Sequence, residues 1–239
     1  MVCKTYSLAN LPPNYEIIKP ISMGAFSQVY LAKNYERIQQ NVVLKVFHCI
    51  EPFADEKSLM FSREVYALQK MSHPSSIRYL SHFSAGEYHC LELAYIPGSK
   101  TVSDLFEYVQ HQGYERPSLE WRLTQSIQLI DALKESHSHA IVHRDIKPRN
   151  VLWNQREEEL YLSDFGIAAV FPLILEQECK TTLRSYVSPP YASPEQLLQE
   201  APTTHFDVYS MGLLVASIIN LKEVTREDDV SQLDCWMKE

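Results

Sequence analysis

From Tyr15 to Phe83 the chain runs in short β-type stretches, YEIIKPI, SQVYLA, NVVLKVF and IRYLSHF. Apolar residues repeating at a period of two, with β-branched and aromatic side chains among them, predict strands. One stretch breaks that period. Around Arg63 to Met71, the residues Val65, Leu68 and Met71 recur at helical spacing, which predicts a single helix carried by a sheet. A further strand, YHCLELAY, runs into Ile96-Pro97-Gly98-Ser99, where proline and glycine stop strand and helix alike. A lobe boundary is therefore expected near residues 94 to 99.

After that boundary the period changes. Residues 119 to 138 place Leu123, Ile127, Ile130 and Leu133 on one helical face, and residues 207 to 220 are apolar on nearly every side, as in a helix buried all round. Between them the runs NVLW and LYLSDF flank the charged NQREEE, which reads as a solvated hairpin turn. A last helical stretch, roughly Asp228 to Lys238, gathers Val230, Leu233, Trp236 and Met237 near one face that must pack on something. The expectation is an α+β chain in one domain, residues 1–239. A small β-rich lobe with one main helix would span about 1–95, and a larger, mainly helical lobe about 100–239, incomplete at its carboxyl end.

Composition narrows the function classes. With 239 residues and 45% apolar content the chain can bury a substantial core. The net charge of -8, with Lys and Arg scattered, lacks the basic stripe of a nucleic-acid binder. Five cysteines without a CxxC pair fit a reducing compartment. The amino end has no apolar core after a basic start, and the longest apolar stretch, residues 211–219, is too short to span a bilayer. A soluble, cytoplasmic protein with neither a nucleic-acid nor a membrane partner is expected.

The candidate chemistry sits in His143-Arg144-Asp145-Ile146-Lys147-Pro148-Arg149-Asn150, followed fourteen positions after Asn150 by Asp164-Phe165-Gly166. Phosphoryl transfer needs a hydroxyl aimed in line at phosphorus and cations that spread the developing charge, and carboxylates, an amide and a lysine meet those needs. Upstream, Lys45 interrupts the apolar strand VVLKVF, where an unpaired ammonium is costly, and Glu64 is its natural partner. The cluster His137, His139 and His143 has no Cys or carboxylate to complete a tetrahedral set, so structural histidines are expected there.

In this order the motifs resemble those of eukaryotic-type Ser/Thr protein kinases, from Ile21 to Gly212. The resemblance implies ATP and Mg²⁺ as cofactors and a protein as substrate. Asp145 would orient the acceptor hydroxyl and take its proton, Asn150 and Asp164 would hold Mg²⁺, and Lys147 would mark Ser/Thr specificity. Lys45, paired with Glu64, would meet the phosphates under a loop that includes Ile21, Ser22, Gly24, Ser27 and Val29. Leu93 would lie beside the adenine ring, with the Ala94 and Tyr95 backbone bonding its edge. Lys45, Asp145, Asn150 and Asp164 would converge on one triphosphate between two lobes.

The resemblance extends further along the second half. Ser193-Pro194-Glu195 stands for the A-P-E motif, Asp207 for the aspartate that anchors the catalytic loop, and Ser188 for a hydroxyl that bonds that loop. Within the implied activation loop, Asp164 to Glu195, the residues Thr181, Thr182 and Ser185 are phosphosite candidates and Arg144 a cation awaiting the phosphate. Two features depart from the family pattern. Ser22 and Ser27 replace the outer glycines of the phosphate loop, and few residues follow Glu195. They motivate an alternative, a pseudokinase or nucleotide-dependent binding module, and a lobe completed by a partner or a missing segment. Small-molecule phosphotransferases rank last, because they usually lack the lysine after the aspartate.

Overall fold

In the computed structural model, which describes residues 11–24, 27–48, 54–170 and 188–223, the chain forms two compact units. One comprises Met1–Val65 with Arg78–Tyr95, the other Tyr66–Ile77 with Ile96–Glu239.

In the first unit the alternating runs pair into one antiparallel sheet. Its strands are β1 (Tyr15–Met23), β2 (Ser27–Asn34), β3 (Asn41–His48), β4 (Tyr79–Ala85) and β5 (Tyr88–Ala94), in the order β1-β2-β3-β5-β4. The register sets Lys45 of β3 opposite Val29 of β2 and Leu91 of β5. One core cluster consists of Tyr30, Ala32, Val42, Leu44, Val46 and Cys90, with the Tyr15 and Phe83 rings tilted against each other, centroids 4.9 Å apart, at its edge. The Cys90 thiol is free and buried, and burial pushes its pKa up to about 12.

A charged group is also sealed inside this unit. Glu92, fully buried on β5, accepts from Asn34 Nδ2 at 2.8 Å, from Arg37 Nε and Nη2 at 2.9 and 2.7 Å, and from the Ser81 hydroxyl. Burial pushes its carboxyl up, but the hydrogen bonds from Arg37, Ser81 and Asn34 outweigh that and hold it below the usual range.

The helix expected around Arg63 starts earlier, as α1 (Ala54–Lys70). Its end and the loop to Ile77 belong to the second unit because polar side chains tie them there. Glu135 accepts from the Ser72 and His73 amides at 3.0 and 2.9 Å and from the Ser72 hydroxyl at 2.6 Å. Leu162 exchanges backbone bonds with Ser75 and Ile77.

The second unit contains β6 (Lys100–Thr101), α2 (Val102–His111), α3 (Leu119–Ser138), β7 (Ile141–Val142), β8 (Val151–Asn154), β9 (Glu159–Leu162), β10 (Ala169–Val170), α4 (Pro194–Leu197) and α5 (Thr204–Asn220). Strands β8 and β9 form the hairpin expected around NQREEE. Before it, Gly98 adopts φ +71°, a left-handed turn that suits glycine, and Thr101 opens α2. Thr101 and Asp104 close a reciprocal capping box, the local signal for a helix that apolar periodicity does not reveal.

On α3 the buried face differs from the expected one. Leu123, Ile127 and Ile130 are 47%, 59% and 44% exposed, whereas Gln125, Ser126, Leu129, Ala132, Leu133 and Ser136 are buried. The helix packs on α5 and β9, and the Ser126 and Ser136 hydroxyls fold back on the Arg122 and Leu133 carbonyls. Gln125 satisfies the Leu160 amide at 2.8 Å. A side that mixes Leu129, Ala132 and Leu133 with Gln125, Ser126 and Ser136 is thus buried, its polar side chains hydrogen-bonded to backbone groups. Helix α5 buries Phe206, Asp207, Ser210, Met211, Leu213, Leu214, Ser217 and Ile218, but Val208 and Tyr209 are exposed, so its burial is not all round. Among the described residues no helix is long and apolar enough to cross a membrane.

Candidate active site

The first unit supplies one charged pair. Lys45 Nζ donates to Glu64 Oε1 at 2.7 Å, with the two residues 8% and 1% exposed. The strand pairs with β2 and β5 on both sides, and α1 brings Glu64 to it, so packing of regular elements places both charges. A buried ion pair is worth keeping intact because removing one partner strands the other charge, at a cost of about 3–5 kcal/mol.

Around the expected phosphate loop, Ile21, Ser22 and Gly24 are exposed, whereas Ser27 and Val29 are half-buried in β2. The Gly24 amide donates to the Ser27 carbonyl at 2.9 Å, and a Cβ at Gly24 would meet that oxygen at 3.4 Å, an ordinary contact. At the end of β5, Leu93 lies opposite Val43 and Tyr79. The Ala94 amide is already committed to the Arg78 carbonyl at 2.9 Å. An adenine edge at this strand would have to use carbonyl oxygens or the Tyr95 amide.

The second unit holds the other chemistry on a loop between β7 and a 3₁₀ turn, Pro148–Asn150. Beneath it lies Asp207, fully buried in the first turn of α5. Its Oδ2 accepts from the His143 amide at 2.7 Å and from His137 Nε2 at 2.9 Å, and its Oδ1 accepts from the Arg144 amide at 2.7 Å. Arg144 takes φ +71°, a conformation costly for a residue with a Cβ, and the Asp207 carboxylate offsets that cost through two backbone bonds. The buried Arg144 carbonyl is met by Gln196 Nε2 at 2.8 Å.

Asp145 is the focus of this loop. Lys147 Nζ lies 2.9 and 2.7 Å from its two carboxylate oxygens, the Ser188 hydroxyl donates to Oδ1 at 2.7 Å, and Asn150 Nδ2 donates to Oδ2 at 2.8 Å. Lys147 also reaches Ser188 Oγ at 2.7 Å. The Asp145 amide donates to His143 Nδ1 at 3.3 Å, which leaves the imidazole proton on Nε2, facing the Ser163 carbonyl at 3.1 Å. The His143 ring is buried against Phe165 at 4.5 Å. Both His137 and His143 therefore serve the loop's structure.

Asp164 is exposed, also left-handed at φ +64°, with Oδ1 facing the Gly166 amide at 3.4 Å. Ser163, just before it, bonds the Asn150 carbonyl through its amide at 3.0 Å and its hydroxyl at 2.9 Å. Asp145 and Asn150 are thus linked in one polar network that reaches Ser163, the residue before Asp164. Ser163 and Gln196 were missed in the sequence, although each directly follows or precedes a recognised motif residue. The phosphosite candidates Thr181, Thr182 and Ser185 lie outside the described residues.

Comparison with known proteins fits this geometry. The protein kinase domain family model matches residues 15–237, and the chain belongs to that family. A probable myosin light chain kinase of Dictyostelium discoideum is 30% identical over 221 residues, covering 92% of this chain and 43% of that protein. A serine/threonine-protein kinase of Myxococcus xanthus is 27% identical, covering 88% of this chain and 25% of its own length. A probable serine/threonine-protein kinase of Dictyostelium discoideum is 33% identical, covering 86% and 40%. This chain therefore spans less than half the length of each of these three relatives.

Proposed function

We propose that this chain transfers the γ-phosphate of ATP to Ser or Thr hydroxyls of protein substrates. One observation carries the reading: a lysine, a serine hydroxyl and an amide converge on the single carboxylate Asp145 at 2.7–2.9 Å. A carboxylate so oriented can accept a hydroxyl proton in place of one of these donors, and the Lys147 ammonium beside it can offset charge on a transferring phosphate.

The donor set suits Mg²⁺. Asn150 spends its amide nitrogen on Asp145, which leaves a neutral carbonyl oxygen as ligand, and the exposed Asp164 supplies a hard carboxylate oxygen. Bound there, Mg²⁺ would neutralise phosphate oxygens. Lys45, held by Glu64, is the ammonium assigned to the phosphates. Ile21 to Val29 are assigned to cover them, and Leu93 to Tyr95 to meet the adenine. The hinge at residues 94–99, a protein substrate and a cytoplasmic setting belong to the same proposal.

A second reading, nucleotide-dependent docking without turnover, draws support from Ser22 and Ser27 where the family pattern has glycine. Incubation with Mg-ATP and generic protein substrates separates the two. Incorporated γ-phosphate on Ser or Thr supports the kinase. Nucleotide-induced thermal stabilisation without incorporation would replace it with the docking module.

A further inference from the structure

On the face of the sheet that carries Lys45, the neighbouring positions hold an aromatic and histidine cluster. Phe61 of α1 meets Phe47 of β3 edge-on at 5.6 Å and His82 of β4 at 5.9 Å. The His89 ring of β5 stacks on Phe61 with centroids 4.9 Å apart and planes 17° from parallel. The same imidazole makes two polar contacts: Nδ1 lies 2.8 Å from Ser84 Oγ on β4, and Nε2 lies 3.2 Å from Ser58 Oγ on α1. His89 thus adds a side-chain link from the paired strands β4 and β5 to the helix in this cluster.

Packing alone does not need a histidine here. Phe61 against Phe47 holds α1 on the sheet by non-directional contact, and Lys57 Nζ adds a directional bond to the His48 carbonyl at 3.0 Å near the start of the helix, four residues before Phe61. A hydrogen bond is directional. A ring that donates through one nitrogen and accepts through the other can fix Ser58, and burial favours that neutral form by pushing the His89 pKa down. Ser58 and Phe61 lie six and three residues before Glu64, on adjoining sectors of the same helix. The orientation of the Glu64 carboxylate toward Lys45, at 2.7 Å, follows the rotation of that helix.

The geometry points to His89 as a positioning residue for the Lys45–Glu64 pair: it bridges Ser84 and Ser58, fixes the rotation of α1, and so aims Glu64 at Lys45. The proposal rests on the kinase reading only for its consequence, phosphate positioning; the device itself is testable without nucleotide.

The test measures how fast a small amine-acylating reagent modifies Lys45, followed by peptide mass spectrometry. Lys45 should be protected by Glu64. His89→Phe keeps the stacking and loses both hydroxyl contacts; it should speed Lys45 acylation about fivefold, while Cys90 stays closed to alkylation. In a Glu64→Gln background the same change should add less than about twofold, because the ring acts through Glu64. Equal acceleration in both backgrounds, or none in His89→Phe, overturns the proposal.

If His89→Phe opens Cys90, Ser58→Ala decides, since it deletes only one hydroxyl. Faster Lys45 acylation in Ser58→Ala supports the bridge, and an unchanged rate rejects it. A wild-type protein that transfers no phosphate would remove the kinase reading and leave these rates to judge His89.

Discussion

The two charged sites are held by different physics. In the first unit, Lys45 and Glu64 sit on an interior strand and a long helix, nearly sealed from water, with ordinary backbone around them. In the second, Asp145 and Asp164 sit on loops with left-handed Arg144 and Asp164 beside or within them, half-buried or exposed, and positioned by a chain of hydrogen bonds ending on Asp207. Packing brings the first pair together and makes it part of the core. Polar satisfaction places the second and leaves it open to a reactant. Damage to the first should therefore cost stability as well as rate, and damage to the second chiefly rate.

The sharpest break in that comparison is Asp145→Ala. Removing the proton acceptor should lower phosphate transfer by at least about 10³-fold, equivalent to about 4 kcal/mol of barrier, with nucleotide affinity and unfolding midpoint little changed. A fully active variant in a transfer assay would reject the assigned role. Glu64→Ala should add a loss of stability to any loss of rate, about 3 kcal/mol of unfolding free energy in urea titration, because Lys45 is left buried without its carboxylate.

Asp207→Asn tests whether the network aims Asp145. It keeps the size but replaces one accepting oxygen with a donor facing a backbone amide or His137, so transfer should fall about a hundredfold with protein substrate affinity unchanged. The smallest effect is expected at Glu92, another buried charge of the first unit. Its folded pKa is depressed, so its stabilisation is complete above the ordinary glutamate value near about 4.3 and fades as pH falls through the lower folded value. The stability of the wild type, followed by urea titration, should drop across that window more steeply than that of Glu92→Gln.

Much of this was legible along the chain. The strands from Tyr15 to Ala94 follow period-two runs, and the hairpin around NQREEE follows its turn. Asp145, Lys147, Asn150 and Ser188 are named by motif order, and the structure brings these four into direct contact. The buried side of α3 was not legible, because that helix carries two plausible faces and the apolar one lost to Gln125, Ser126 and Ser136. Nor was the commitment of the Ala94 amide to Arg78, which depends on a neighbour sixteen positions away.

By itself the sequence determined the sheet strands, the hairpin around NQREEE and which residue types stand in the motif order, since these are set by local period and covalent neighbourhood, while the helix expected over Asp228 to Lys238 lies outside the described residues. Only the tertiary structure decided what each polar atom bonds to: Asp207 beneath Arg144, Glu135 beneath Ser72 and His73, and His89 between Ser58 and Ser84. A buried donor or acceptor must find a partner wherever the packed chain supplies one, and residues far apart in sequence supply most of them.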